Sequence, residues 1–143
     1  MTNEKILLVD DDAEFAKALA ERMESRGLDV DTAESGTSAL EQIEKSSYDA
    51  IILDLAMPGL DGIETLKRLL KRQPELQIIL LTGHATLEKG IEAVKIGAAD
   101  FLEKPADFKK LMEMIKKAKD QKMLLVEDKI ENKIKDILRK KWW

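Results

Sequence analysis

At 143 residues the chain has the length of one domain with a short appendage. It holds no cysteine and one histidine, which excludes disulfides, thiol nucleophiles, Cys-ligated zinc or iron-sulfur centres and multi-histidine metal sites, and leaves only His84 for a Ser-His-Asp triad. The formal charge of −4 divides unevenly: residues 121–143 carry seven Lys/Arg against four Asp/Glu, so the tail is +3 and residues 1–120 are −7, a balance that does not suggest a nucleic-acid-coating surface.

Near the start, Ile6 to Val9 is the only apolar run, far short of the roughly 7 to 15 residues of a signal-peptide core. A cytoplasmic protein with no membrane association is expected. Ile6–Val9, Ala50–Leu53 and Ile78–Leu81 are continuous and apolar, the pattern of parallel strands covered on both faces. Leu28–Thr32 and Asp100–Leu102 are weaker strand candidates. Between the strands, Phe15, Leu19 and Met23 mark a helix stopped at Gly27, and Ala39, Ile43 and Tyr48 a shorter one. Ile63, Leu66, Leu69 and Leu70 give a third helix ending before Pro74, and Leu87, Ile91, Val94 and Ile96 a fourth ending at Gly97. A fifth opens at Ala106. Five strand-helix units with short connections predict a five-stranded, doubly wound parallel sheet.

The fifth helix does not stop where a domain would. Leu111, Ile115 and Ala118 continue, with a slip, into Met123, Val126, Ile130, Ile134 and Ile137, with no Gly or Pro after Pro105. Unbroken from Ala106 to Lys140 it would run about 50 Å at 1.5 Å per residue. Residues 1–120 are therefore read as the domain and 121–143 as a helical extension that projects, packs on a partner or frays. Trp142 and Trp143 would either anchor on another surface or be disordered.

Ligands of an open parallel sheet bind in the crevice outside the carboxyl ends of its strands. Asp10-Asp11-Asp12, Asp54, Thr82 and Lys104 would converge there. Several carboxylates in one crevice repel each other and call for a cation. Oxygen ligands suit Mg²⁺, with Mn²⁺ as an alternative, and a phosphate and waters completing the shell. A lysine on the same crevice suits a phosphoryl group, and Thr82 could donate to one of its oxygens. Together they describe Mg²⁺-assisted phosphoryl transfer to a carboxylate nucleophile. Each residue has a plainer role: Asp11 with Glu14 could cap a helix, Thr82 could be a strand-end turn residue and Lys104 a surface lysine. Their convergence argues for the site.

Four stretches resemble the receiver domain of bacterial two-component response regulators: Ile6–Asp12, Leu53–Gly62, Leu80–Ala85 and Gly97–Pro105. The resemblance runs from about Lys5 to Lys119 and implies a flavodoxin-like fold, strand order 2-1-3-4-5. It implies a phosphoprotein of signal transduction or phosphorelay that takes a phosphoryl group from a histidine kinase or histidine phosphotransfer protein. It is not a conventional enzyme, but it would catalyse its own phosphorylation and dephosphorylation. By the resemblance, Asp54 is the phosphoacceptor and Asp11, Asp54 and the Ala56 carbonyl are direct Mg²⁺ ligands, with Asp10 acting through water. Thr82 and Lys104 grip the phosphoryl oxygens, Lys104-Pro105 is commonly cis, and Thr82 and Phe101 form the switch. Ala56 and His84 occupy positions that tune the phosphoryl lifetime. Partners would dock on the face of the fourth helix, fifth strand and fifth helix, near Lys89 and Lys95, and a homodimer could form there or through the C-terminal helix.

Two alternatives stay open. A haloacid-dehalogenase-like phosphatase also uses an Asp nucleophile, and Asp10-Asp11-Asp12 contains its D-x-D, but Glu14 is wrong for that motif and, in place of the second acidic motif expected after Lys104, there is only Asp107 opening a helix. A receiver fragment of a larger transcriptional activator, of the NtrC type, is the second.

Overall fold

The computed structural model describes residues 4–55, 62–83 and 87–142. Strands and helices alternate: β1 (Lys5–Val9), α1 (Ala13–Glu24), β2 (Asp29–Ala33), α2 (Gly36–Lys45), β3 (Ala50–Asp54), α3 (Gly62–Arg72), β4 (Ile78–Thr82), α4 (Leu87–Ile96), β5 (Asp100–Glu103) and α5 (Phe108–Trp142). The strands form one sheet in the order β2-β1-β3-β4-β5, and every pairing is parallel. This is the flavodoxin-like arrangement expected from the sequence.

Side chains alternate across a strand, and here the alternation sorts the core into two layers. Leu7, Val9, Ile51, Leu53, Ile78 and Leu80 pack with residues of α2, α3 and α4. Ile6, Leu8, Ala50, Ile52, Ile79 and Leu81 pack on the opposite face with α1 and α5. Both faces of β3 and β4 are covered and all ten of their residues are buried, which is why these strands read as unbroken apolar runs rather than alternating ones.

The structure moves three expectations. Tyr48 is not part of α2: that helix ends at Lys45, Ser46 turns to an extended backbone, and Tyr48 sits in the following loop with its ring buried. Its hydroxyl donates to Asp31 Oδ2 at 2.7 Å, so its apolar spacing from Ile43 reflected a shared core and not a shared helix. The last helix starts at Phe108 rather than Ala106, because Asp107 Oδ1 accepts from the amides of Lys109 and Lys110 and so caps it. Finally, Ile91 and Val94 of α4, expected to face the core, are exposed. That helix instead packs through the small residues Gly90 and Ala93, which let its backbone approach the sheet closely.

Helix α5 is continuous over 35 residues. Phe108, Leu111, Ile115 and Ala118 are its buried positions. Lys119 Nζ reaches Glu4 at 3.7 Å, and Lys122 Nζ donates to Ser47 Oγ and the Tyr48 carbonyl. From Met123 to Lys140 every residue is exposed. No helix among the described residues is long and apolar enough to cross a membrane.

Candidate phosphoryl and metal site

The strand order reverses beside β1, which has β2 on one side and β3 on the other, so the crevice of the sheet opens between the carboxyl ends of β1 and β3. Asp10 follows β1 and Asp54 ends β3. Asp10 is held by its own backbone, whose amide donates to the Ala33 carbonyl at 3.0 Å, while its Oδ1 accepts from the Asp12 amide at 2.9 Å. Asp12 caps α1, accepting from the Phe15 amide at 3.1 Å. The capping pair read from Asp11 and Glu14 is thus displaced by one residue. With Asp12 committed to the helix, Asp11 is left exposed at the rim.

Asp10, Asp11 and Asp54 each offer a carboxylate oxygen to a common point, and the three oxygens lie within 4.8 Å of one another. Asp10 and Asp54 are buried. Lys104 Nζ lies 3.5 Å from Asp54 Oδ2 and 3.7 Å from Asp10 Oδ2, and 4.7 Å from the centre of the Phe15 ring. Burial above all pushes the Asp10 carboxyl up to about 6, with the Asp54 charge acting in the same direction; the Asp12 amide and the Lys104 ammonium oppose it.

Lys104 is positioned by its backbone. Its amide donates to the Thr82 carbonyl at 2.7 Å, continuing the β4–β5 pairing past its last rung, and the Lys104-Pro105 peptide is cis. Thr82 ends β4 with its side chain fully buried, and its Oγ1 has no hydrogen-bond partner among the described residues. Phe101, on β5, is half-buried against the core layer that includes Leu80. A Cβ on Gly90 of α4 would stand 3.1 Å from Thr82 Cγ2 and 3.3 Å from Phe101 Cδ2. Gly90 therefore adjoins both expected switch residues, and Phe15 adjoins Lys104. Neither carried a sequence signal beyond an ordinary helix position. Ala56, His84 and Trp143 lie outside the described residues.

The donor set fits a hard divalent cation. All three side chains offer oxygen, and Asp10 Oδ2 is buried without a hydrogen-bond partner among the described residues. Burying two carboxylates beside one ammonium, with a third at the rim, leaves excess negative charge that a cation would neutralise. The phosphatase alternative loses part of its basis here, since Asp12, the second acid of its D-x-D, is occupied as the cap of α1.

Comparison with known proteins agrees with the fold. The family model described as response regulator receiver domain matches residues 6–116. The transcriptional regulatory protein ZraR of Escherichia coli K12 is 37% identical over 116 residues, covering 81% of this chain and 26% of ZraR. The transcriptional regulatory protein FixJ of Bradyrhizobium diazoefficiens is 38% identical over 117 residues, covering 82% of this chain and 57% of FixJ. The chain thus spans about a quarter of the one relative and just over half of the other. Among solved structures, a response regulator receiver domain protein from Clostridium thermocellum superposes with a TM-score of 0.82 at 35% identity, covering 85% of this chain and 98% of that one.

Proposed function

The chain belongs to the response regulator receiver domain family, and on that premise we propose that it accepts a phosphoryl group on Asp54 in a Mg²⁺-dependent reaction. The donor is the phosphohistidine of a histidine kinase or a histidine phosphotransfer protein. The observation that carries this reading is the convergence of Asp10, Asp11 and Asp54 with Lys104 at the one crevice of the sheet. No cysteine is available as nucleophile, and Asp54 is the carboxylate set at the end of a fully buried strand.

Each residue has a role in the transfer. An Asp54 carboxylate oxygen attacks phosphorus in line, the bond from phosphorus to the donor imidazole nitrogen breaks, and the imidazole leaves. Lys104 and the Thr82 hydroxyl hold the phosphoryl oxygens; the buried, unpartnered Thr82 Oγ1 supports that role. Asp10, Asp11 and Asp54 would hold Mg²⁺, with the Ala56 carbonyl as a further donor. The ion supplies charge neutralisation for the carboxylates and the incoming phosphoryl group. Holding an aspartyl phosphate draws Thr82 and Lys104 toward it and lets Phe101 move into the space so opened, which biases the surface of α4, β5 and α5 between two states. Exposed Ile91, Val94, Lys89 and Lys95 on α4 form the surface that reads the switch.

Residues 1–120 act as the receiver and 121–143 as its helical extension, in the cytoplasm alongside the kinase. ZraR and FixJ, of which the chain spans only part, are named as transcriptional regulators, and the matching role here is to govern an output unit of that kind. The test is labelling with a radioactive small-molecule phosphodonor, with and without Mg²⁺. Labelling of the unaltered chain that requires Mg²⁺ and disappears in Asp54→Asn is expected. Full labelling of Asp54→Asn would overturn the choice of acceptor.

A further inference from the structure

Lys104 reaches the acidic residues from the far side of the sheet. It follows β5, whereas Asp10 follows β1, and β4 and β3 lie between those strands, a span of roughly 14 Å at the strand spacing of a sheet. The side chain that makes this crossing is a flexible four-carbon stem carrying a compact charge, and it is 30% exposed. Its ammonium stands off from both carboxylates: 3.5 Å from Asp54 Oδ2 and 3.7 Å from Asp10 Oδ2 exceed the roughly 2.7–3.2 Å of a well-formed N–H···O bond. The third neighbour is the ring of Phe15, whose centre lies 4.7 Å from Nζ, inside the roughly 6 Å reach of a cation–π contact.

Phe15 is fixed independently of Lys104. Its amide donates to Asp12 Oδ1 at 3.1 Å, and the Asp12 amide donates in turn to Asp10 Oδ1 at 2.9 Å, so the first turn of α1 ties the ring's backbone to a carboxylate of the site. The ring is half-buried, packed on the core layer of α1 and α5, and lines a cleft with Leu19, Pro105, Ala106 and Phe108. Arg22 and Arg26 sit over Phe108, 4.2 and 5.6 Å from its centre, and the cation over Phe15 is Lys104. The attraction comes from the quadrupole of the ring and is not directed at one N–H group. It can therefore hold the ammonium in the crevice without tying it to a carboxylate oxygen.

We propose that Phe15 is a positioning residue for phosphoryl transfer: the face of its ring holds the Lys104 ammonium short of Asp54, with its N–H groups ready for a phosphoryl oxygen. The inference rests on the reading of Asp54 as acceptor and deepens it by adding the residue that places Lys104. Without the ring face the stem swings out to solvent or closes on Asp54. Either way the ammonium is out of place when the phosphoryl group arrives, and misplacement of a positioned group slows the reaction.

The experiment uses the full chain with Mg²⁺ and radioactive phosphoramidate as donor, so that no kinase has to dock. Phe15 is replaced, by site-specific incorporation, with phenylalanine carrying one, two and then three ring fluorines. Fluorine draws electrons from the ring and weakens its negative face in steps, while the shape of the side chain barely changes. The initial rate of Asp54 labelling should fall stepwise, by about two- to fivefold across the series. Phe15→Leu should lose at least as much, and Phe15→Tyr, which keeps the ring face, should retain most of the rate. In a Lys104→Met background the slower rate should be flat across the fluorine series, because the contact being weakened is already gone. Cooperative urea unfolding at each step shows the fold intact. A rate indifferent to fluorination in the chain that keeps Lys104, or the same stepwise fall in Lys104→Met, would overturn the inference and leave Asp54 as acceptor. Absence of Mg²⁺-dependent labelling in the unaltered chain would overturn the reading beneath it, and the inference with it.

Discussion

Lys104 Nζ stands 3.5 Å from Asp54 Oδ2, joining residues fifty positions apart in sequence through the ends of β3 and β5. The same ammonium is 3.7 Å from Asp10 Oδ2, so one cation serves two buried carboxylates. Removing it takes this positive charge from both, and removing one partner is the costly way to break a buried pair. Because the Lys104 side chain is 30% exposed, water softens the loss, and Lys104→Met should lower metal-free stability at neutral pH by about 1–3 kcal/mol. Urea unfolding with and without Mg²⁺ checks this. The deficit should shrink when Mg²⁺ is present, because the ion binds the folded state.

Asp10 supplies a pH dependence of definite sign. Its carboxyl rises from 3.8 to about 6 in the fold, mainly through burial. The folded state therefore holds the proton more tightly than the unfolded chain, so this contribution to stability is full below pH 4 and is lost as pH rises through about 6. The change amounts to up to about 3 kcal/mol from a shift of some two units. In metal-free buffer, the stability of the unaltered chain relative to Asp10→Asn should fall between pH 4 and pH 7. Added Mg²⁺ should reverse the fall above pH 6. A difference that stays flat over that range would show that Asp10 is not held in this way.

Gly90 keeps α4 close to both expected switch residues. With Ala there, the new Cβ would meet Thr82 Cγ2 at 3.1 Å and Phe101 Cδ2 at 3.3 Å, and both side chains would have to shift. Alanine favours a helix by about 1 kcal/mol over glycine. Gly90→Ala should therefore leave global stability changed by less than about 1 kcal/mol while reducing the fraction of Phe101 that repositions on binding beryllium fluoride, a phosphoryl mimic. Fluorine-19 resonance from fluorophenylalanine reads that fraction, with Phe101→Leu identifying the signal.

Tyr48 is the chain's only tyrosine, so absorbance at 295 nm titrates it alone. Burial, with the Asp31 carboxylate that accepts its hydroxyl, pushes it up to about 12. The folded state binds this proton more tightly than the unfolded chain, so its contribution to stability is full below pH 10 and is lost as pH rises toward 12. The expected titration midpoint is near 12. Asp31→Asn should bring it down, and Tyr48→Phe should cost about 1–2 kcal/mol at neutral pH by leaving a carboxylate without its donor.

The sequence by itself determined the alternation of strands and helices, the two-sided burial of the sheet and the family, because apolar runs, glycine stops and the acidic strand ends are local patterns that need no tertiary contact to be read. Asp10, Asp11, Asp54, Thr82 and Lys104 were legible as strand-end polar residues for the same reason. Only the tertiary structure decided which acid caps α1, that Tyr48 belongs to the core of the sheet rather than to α2, that α4 turns Gly90 and Ala93 inward and leaves Ile91 and Val94 outside, and that Phe15 lies beneath Lys104. Those outcomes depend on which side chains meet across long separations in sequence, where competing local preferences are settled by packing. The extension shows the division most clearly. Its apolar spacing is written in residues 123–137, but that these side chains are exposed while Leu111, Ile115 and Ala118 are buried, and that Lys122 anchors the helix to the Ser47–Tyr48 loop just before them, follows only from how the helix seats on the sheet.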